Sequence, residues 1–268
     1  MDSTLTVDVA DGIATITLRR PASLNAITAA DYTAFANALR AIDKRDDVLV
    51  TVWQATGKWF CAGTDVRSTG TRELSGELRD SFLQGVVKTT TDCGHALYSH
   101  SKVLVCSLQG PVMGIAAAFL GYFDFIYSME NAWLSVPFTF LGIIAEGGSS
   151  VTFVNRMGLA KANEALIWGK KVSAQELREC GFINEILPFQ PVEDFHAAVR
   201  AIIVENLRGL DPNALLAVKK LIRTGLTEKN NPDAVNLRES YAQAERFSSG
   251  IPTRQFIRIA AKEIKHKL

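Results

Sequence analysis

From Leu5 to Tyr127, short apolar runs alternate with segments whose apolar residues recur every three or four positions. Leu5 to Leu18 reads as two strands around an Asp11-Gly12 turn, a hairpin signature. In the second strand Ala14, Ile16 and Leu18 alternate with Thr15 and Thr17, and Pro21 closes the run because it cannot donate to a ladder. Thr28 fits an N-cap, and Tyr32, Phe35, Ala36, Leu39 and Ile42 follow at helical spacing. Leu49 to Trp53, Lys102 to Leu108 and Phe123 to Tyr127 read as buried strands. Ser81 to Tyr98 and the small-residue segment Gly114 to Tyr122 read as helices between them. This alternation predicts βαβ units.

After Ser150 the strand signal shrinks to Phe182–Leu187. Helices are expected over Ala160–Trp168, Ser173–Glu179, Pro191–Leu207, Pro212–Arg223, Val235–Phe247 and Thr253–Lys267. Breaks at Leu210-Asp211-Pro212, Asn230-Asn231-Pro232 and Gly250-Ile251-Pro252 separate the last of them. The expected layout is an α/β core over residues 1–200 and a helical region over 201–268, with the boundary between 190 and 210.

Composition narrows this picture. Over 268 residues, 47% hydrophobic content supplies a sizeable core without metals or disulfides. A net charge of +1 argues against a nucleic-acid surface built on bulk charge. Cys61, Cys93, Cys106 and Cys180 form no CxxC pair, and His95, His100, His196 and His266 form no ligand cluster. The cysteines therefore read as buried, reduced thiols of an intracellular protein, and no metal is expected. Met1 to Thr4 shows no secretory pattern, and the apolar runs stop well short of membrane-spanning length, so no membrane partner is expected.

Three segments carry candidate chemistry. Leu141 to Ser150 places Glu146 between an apolar run and Gly147-Gly148. A carboxylate desolvated there has its pKa raised toward a range where it both takes and returns a proton; the alternative is a first-turn glutamate favoured by the helix dipole. Trp59-Phe60-Cys61-Ala62-Gly63-Thr64-Asp65 is a glycine turn after a strand. Gln109-Gly110-Pro111 to Ala118 is another, opening into a helix. Side by side, two such turns aim two main-chain N–H groups at one oxygen, as an oxyanion hole requires.

The order of these elements resembles the crotonase superfamily, the enoyl-CoA hydratase/isomerase family. The resemblance lies in Leu18-Arg19-Arg20-Pro21, Leu24-Asn25-Ala26-Ile27, Phe60 to Asp65, Gln109-Gly110-Pro111 with Gly114, Asp124 to Tyr127, Pro137 and Leu141-Gly142, within roughly residues 5 to 225. It implies an α/β fold with a crotonase-like ββα spiral core and a helical C-terminal trimerisation region. It also implies an acyl-CoA thioester substrate, no cofactor beyond that CoA, and a homotrimer or hexamer.

By the same resemblance the oxyanion donors are the N–H groups of Thr64 and Ile115. The two glutamates with which family hydratases activate water are replaced by Ala118 and Phe138, so hydration should be very weak. Glu146 instead resembles the single catalytic glutamate of fungal-type peroxisomal Δ3-Δ2-enoyl-CoA isomerases. The implied reaction moves the double bond of a cis- or trans-3-enoyl-CoA to trans-2 through a thioester enolate, in fatty-acid β-oxidation or a related pathway. Ser23, Leu24 and Ala26 are implied to grip CoA, with Ala62 and Asp65 near its adenine. Phe138, Phe140 and Ile144 are expected to line the acyl pocket. Arg19, Arg20 and Lys58 are phosphate candidates, or solvated charges; Asp65 is alternatively a helix cap. The rivals are a hydratase, a dienoyl-CoA isomerase, for which no second pocket carboxylate is obvious, and a catalytically silent acyl-CoA-binding subunit. His266-Lys267-Leu268 resembles the Ser-Lys-Leu class of peroxisomal address read by an import receptor. Peroxisomal residence is therefore expected, or cytoplasmic if the tail is not read.

Overall fold

The computed structural model describes residues 4–65 and 82–266. Its strands are β1 (Leu5–Ala10), β2 (Ile13–Leu18), β3 (Val50–Ala55), β4 (Val103–Leu108), β5 (Val112–Met113), β6 (Phe125–Met129), β7 (Trp133–Ser135), β8 (Val172–Ser173) and β9 (Glu185–Leu187). Its α-helices are α1 (Ala29–Asp43), α2 (Asp92–Tyr98), α3 (Ile115–Phe119), α4 (Ser149–Leu166), α5 (Ala174–Glu179), α6 (Val192–Leu207), α7 (Pro212–Lys229), α8 (Pro232–Ser248) and α9 (Ile251–Ala260).

Six strands form one sheet in the order β1-β2-β3-β4-β6-β9. The hairpin β1-β2 is antiparallel, and Asp11 and Gly12 both take the positive φ that its tight turn needs. The other pairings are parallel. All six residues of β4 are buried, as a parallel strand covered on both faces requires. One face carries the main core, in which Trp53 packs on Phe35, Phe60 and Phe123 with ring centroids 4.7, 4.8 and 5.7 Å away. The other face is closed by Phe195, Val199 and Ile203 of α6 against Ile13, Val50, Val52 and Val105.

Local chemistry sets the helix starts. Thr28 and Asp31 form a reciprocal capping box on α1, and Tyr32, Phe35, Ala36, Leu39 and Ile42 make its buried stripe. Ser173 and Glu176 do the same for α5. Asp211 and Asn231 cap α7 and α8, each followed by Pro at the first helical position.

The structure departs from the sequence reading in several places. The helix expected from Ala160 begins eleven residues earlier, at Ser149, and tolerates a kink at Gly158 (φ 74°, ψ 162°). Phe182–Leu187 shortens to β9, while α7 runs on to Lys229. The expected helix over Thr253–Lys267 is α9, ending at Ala260; Lys267 lies outside the described residues. The segment after Ser81, itself outside them, is π-helical over Leu83–Thr91 before α2. The small sheet β5-β7-β8 was not foreseen.

Candidate active site

The two glycine turns are laced together. Phe60 and Cys61 N–H both donate to Pro111 O, at 3.0 and 3.3 Å, and Met113 N–H donates back to Cys61 O at 2.9 Å. The Cys61 thiol tightens the first turn by accepting from Gly63 N–H at 3.4 Å. Gly63 and Gly114 then meet face to face: a Cβ on Gly63 would lie 3.6 Å from Gly114 Cα and 3.1 Å from Met113 O, and both residues have positive φ. Only glycine tolerates that combination without strain. Thr64 and Ile115 follow directly. Among the described residues neither of their N–H groups has a hydrogen-bond partner. Ile115 opens α3, so its free N–H also sits at a helix start.

Glu146 is brought to the same place by its neighbours. A Cβ on Gly147 would lie 2.9 Å from Ile115 Cδ1, and one on Gly148 would overlap the Tyr122 hydroxyl. The Gly-Gly pair thus lets the loop lie against α3 and the short helical turn after it. Glu146 is 8% exposed. Its Oε2 accepts from Gln243 Nε2 of α8 at 2.9 Å, and among the described residues its Oε1 has no hydrogen-bond partner. Burial pushes its carboxyl up to about 8; the Gln243 hydrogen bond pulls the other way and the nearby Glu239 charge adds to the rise.

Glu146 is not a first-turn residue, since α4 starts three positions later. The N–H groups at that helix start go to Glu239 instead, which accepts from Gly148 at 2.6 Å and Ser150 at 3.0 Å. Glu239 thereby takes the helix-dipole interaction that would have held Glu146 acidic. On the opposite side, Tyr32 of α1 is hydrogen-bonded to Thr64 Oγ1 at 2.6 Å. Its phenol is pushed well up by burial and by the Glu146 charge, which places the two side chains within electrostatic reach.

The remaining expected site residues divide. Ser23, Leu24 and Ala26 form a turn beside the first glycine turn: Ala62 N–H donates to Leu24 O at 3.0 Å, and Ile27 N–H to Gly63 O at 2.8 Å. Leu24 and Asn25 both have positive φ there, and buried Asn25 braces the turn through Thr56 O and Trp59 O, both at 2.8 Å. Arg20 is committed internally, to Asp65 at 3.0 Å and Ala26 O at 2.7 Å. Asp65 is therefore an ion-pair partner rather than a bare carboxylate, while Arg19 and Lys58 are exposed. Phe138, 1% exposed, belongs to the main core together with Ala118. Phe140 is half-buried, its ring 4.8 Å from that of His266, and Ile144 is half-buried with its N–H directed to Gln243.

Tyr32, Glu239 and Gln243 were not singled out in the sequence. Tyr32 read as one more apolar position of a helix stripe. The α8 pair, four residues apart, lies in the helix expected over Val235–Phe247, to which no chemistry was assigned. Its one signal is that Asn236, Glu239 and Gln243 recur at helical spacing, and all three are buried.

The chain is 36% identical over 282 residues to a Delta(3,5)-Delta(2,4)-dienoyl-CoA isomerase of Pyricularia oryzae, covering 100% of both. It is 30% identical over 264 residues to a 3,2-trans-enoyl-CoA isomerase of Saccharomyces cerevisiae, covering 94% of this chain and 92% of that one. An enoyl-CoA hydratase/isomerase structure from Pseudoalteromonas atlantica superposes with a TM-score of 0.84 at 25% identity, over 99% of this chain and 100% of that one. With residues 8–250 matching the profile described as Enoyl-CoA hydratase/isomerase, the chain belongs to that family and has the crotonase fold.

Proposed function

We propose that this protein isomerises a 3-enoyl-CoA, cis or trans, to the trans-2-enoyl-CoA, with Glu146 as the single proton carrier. One observation carries the reading: a buried carboxyl with one oxygen unbonded, raised to about 8, lies on the loop packed against Ile115, near two main-chain N–H groups that have no partner of their own among the described residues. The ionised carboxylate takes a proton from C2. The electron pair spreads onto the thioester oxygen, where the Thr64 and Ile115 N–H groups receive the charge. The dienolate then collapses with protonation at C4 by the same carboxyl, and the C3–C4 double bond becomes C2–C3. Atoms and electrons balance without a cofactor beyond the CoA of the substrate. Losing one such main-chain donor costs about 2.7–4 kcal/mol in other enzymes.

Water addition is disfavoured because Ala118 and Phe138 are apolar and fully buried. A second reading, dienoyl-CoA isomerisation, is favoured by the Pyricularia relative and by the nearness of Glu239. Both Glu239 oxygens accept backbone N–H groups, however, which leaves Glu146 as the carboxyl with a free oxygen. Self-association is supported by α7, which exposes Val218, Leu221 and Ile222. A role in fatty-acid β-oxidation within the peroxisome rests on the proposed substrate and on the His266-Lys267-Leu268 ending, whose last two residues lie outside those described.

The test is an assay of 3-cis- and 3-trans-hexenoyl-CoA and a 3,5-dienoyl-CoA on wild type and Glu146→Gln. The expected result is turnover of the 3-enoyl substrates, reduced about 10²–10⁴-fold in the variant, with thioester binding retained. Equal rates in both proteins reject Glu146 as the carrier. Faster turnover of the dienoyl substrate selects the second reading, and binding without turnover in wild type selects a silent acyl-CoA-binding subunit. For the address, a fusion lacking Leu268 should become diffuse in the cell; unchanged puncta reject the tail as its signal.

A further inference from the structure

Gln243 is 1% exposed, and its two ends do different things. Its Oε1 accepts from Ile144 N–H at 3.3 Å, while its Nε2 donates to Glu146 Oε2 at 2.9 Å. A backbone N–H only donates, so it fixes which end of the amide faces it, and the amino end is left for the carboxylate. A flipped amide would set oxygen against oxygen and N–H against N–H. Gln243 is therefore oriented by the same loop that it holds.

That hold extends along the loop. Arg246 of α8 donates to Gly142 O at 3.0 and 2.9 Å, and Gln255 of α9 donates to Phe140 O at 2.9 Å. Glu239 takes Gly148 and Ser150 N–H. From residue 140 to residue 150, every second residue is gripped, all but Glu146 by its main chain.

We propose that Gln243 is a positioning residue for the reaction: it pins Oε2 of Glu146, leaves Oε1 alone to reach both carbon positions, and steadies the ionised carboxylate. The isomerase reading supplies the substrate; the pin itself is a property of the two side chains. Among the described residues the groups facing Glu146 are Glu239 and Gln243 from α8 and the Tyr32 phenol from α1. None of these is cationic, so among them the amide N–H is the main favourable partner of the negative charge. Glu239 and Gln243, one helical turn apart, act on Glu146 with opposite signs: the charge opposes ionisation and the N–H donor favours it.

The experiment compares wild type, Gln243→Met and Glu239→Gln by kcat and KM from pH 6 to 10 with 3-hexenoyl-CoA. In parallel, infrared titration follows the carboxyl C=O band, assigned by its loss in Glu146→Gln. Met keeps the length of Gln without its amide. Gln243→Met should move the acid limb and the band midpoint up by about one pH unit. Its kcat at pH 7 should fall about tenfold with KM nearly unchanged. Glu239→Gln should move both midpoints down. A folded Gln243→Met protein with limb and band unmoved overturns the proposal. If wild type turns over no enoyl-CoA, the band alone decides: a shifted midpoint supports the pin while the isomerase reading fails.

Discussion

Asp124 and Glu146 are both carboxylates withdrawn from water, and they behave in opposite ways. At Asp124 burial alone would raise the pKa, but the Lys219 ammonium at 2.8 Å and the Arg223 guanidinium at 2.9 Å overcome it, with help from Leu104 N–H. Its carboxyl is held below the usual range. Among the described residues Glu146 has an amide donor and a second carboxylate beside it and no cation, and it rises to about 8. Burial therefore does not make a base; burial without a counter-charge does. Asp124 ties α7 to the β4–β6 part of the sheet, whereas Glu146 keeps one oxygen without a hydrogen-bond partner among the described residues.

The largest effect that tests this contrast is Asp124→Ala. It leaves Lys219 and Arg223 against each other, and urea unfolding at pH 7 should show a loss of about 3–5 kcal/mol. In wild type the contribution of Asp124 is present above the ordinary aspartate value of about 4 and disappears as the pH falls through its lower folded value.

Glu146→Gln should show the reverse sign. Below the ordinary glutamate value both the folded and unfolded chains hold the proton. Between that value and about 8 only the folded one does, so stability from the neutral carboxyl is lost as pH rises through about 8. The variant should match wild type near pH 4 and exceed it by up to about 4 kcal/mol at pH 9. Parallel stability curves would show that Glu146 ionises normally in the fold.

A smaller effect comes from making one site resemble the other. Gln243→Lys places a cation beside Glu146; its infrared band should vanish at pH 6, and the rate at pH 9 should drop about tenfold as the base weakens. The smallest is Tyr32→Phe, which strands the Thr64 hydroxyl; a stability loss of about 1 kcal/mol and less than a tenfold change in kcat are expected.

Much of this molecule is legible where cause and effect are neighbours in the chain. The Asp11-Gly12 turn and the Thr28 N-cap are local chemistry, and both stand as read; Asp31 completes the cap as a box. β5, β7 and β8 are two or three residues long, too short for any period to register. The start of α4 is not legible because Gly147-Gly148 precede it and Ser149-Ser150 and Gly158 lie within it, which look like loop until tertiary contacts supply the cap. The placement of Glu146 beside Thr64 and Ile115 follows the order of family motifs. What makes it basic does not: Glu239 and Gln243 act from nearly a hundred residues away. A polar stripe on a helix looks the same in sequence whether water or a buried loop lies against it.

The main-chain grip on residues 140 to 150 also bears on biosynthesis. The base is translated long before its holder, Gln243, leaves the ribosome, and the last clasp, Gln255, comes later still. A nascent chain that has emerged only as far as α7 carries the carboxylate and both glycine turns, yet its loop over residues 140–150 lacks the clasps that α8 and α9 supply. The anchoring of this loop thus arrives in the closing moments of synthesis.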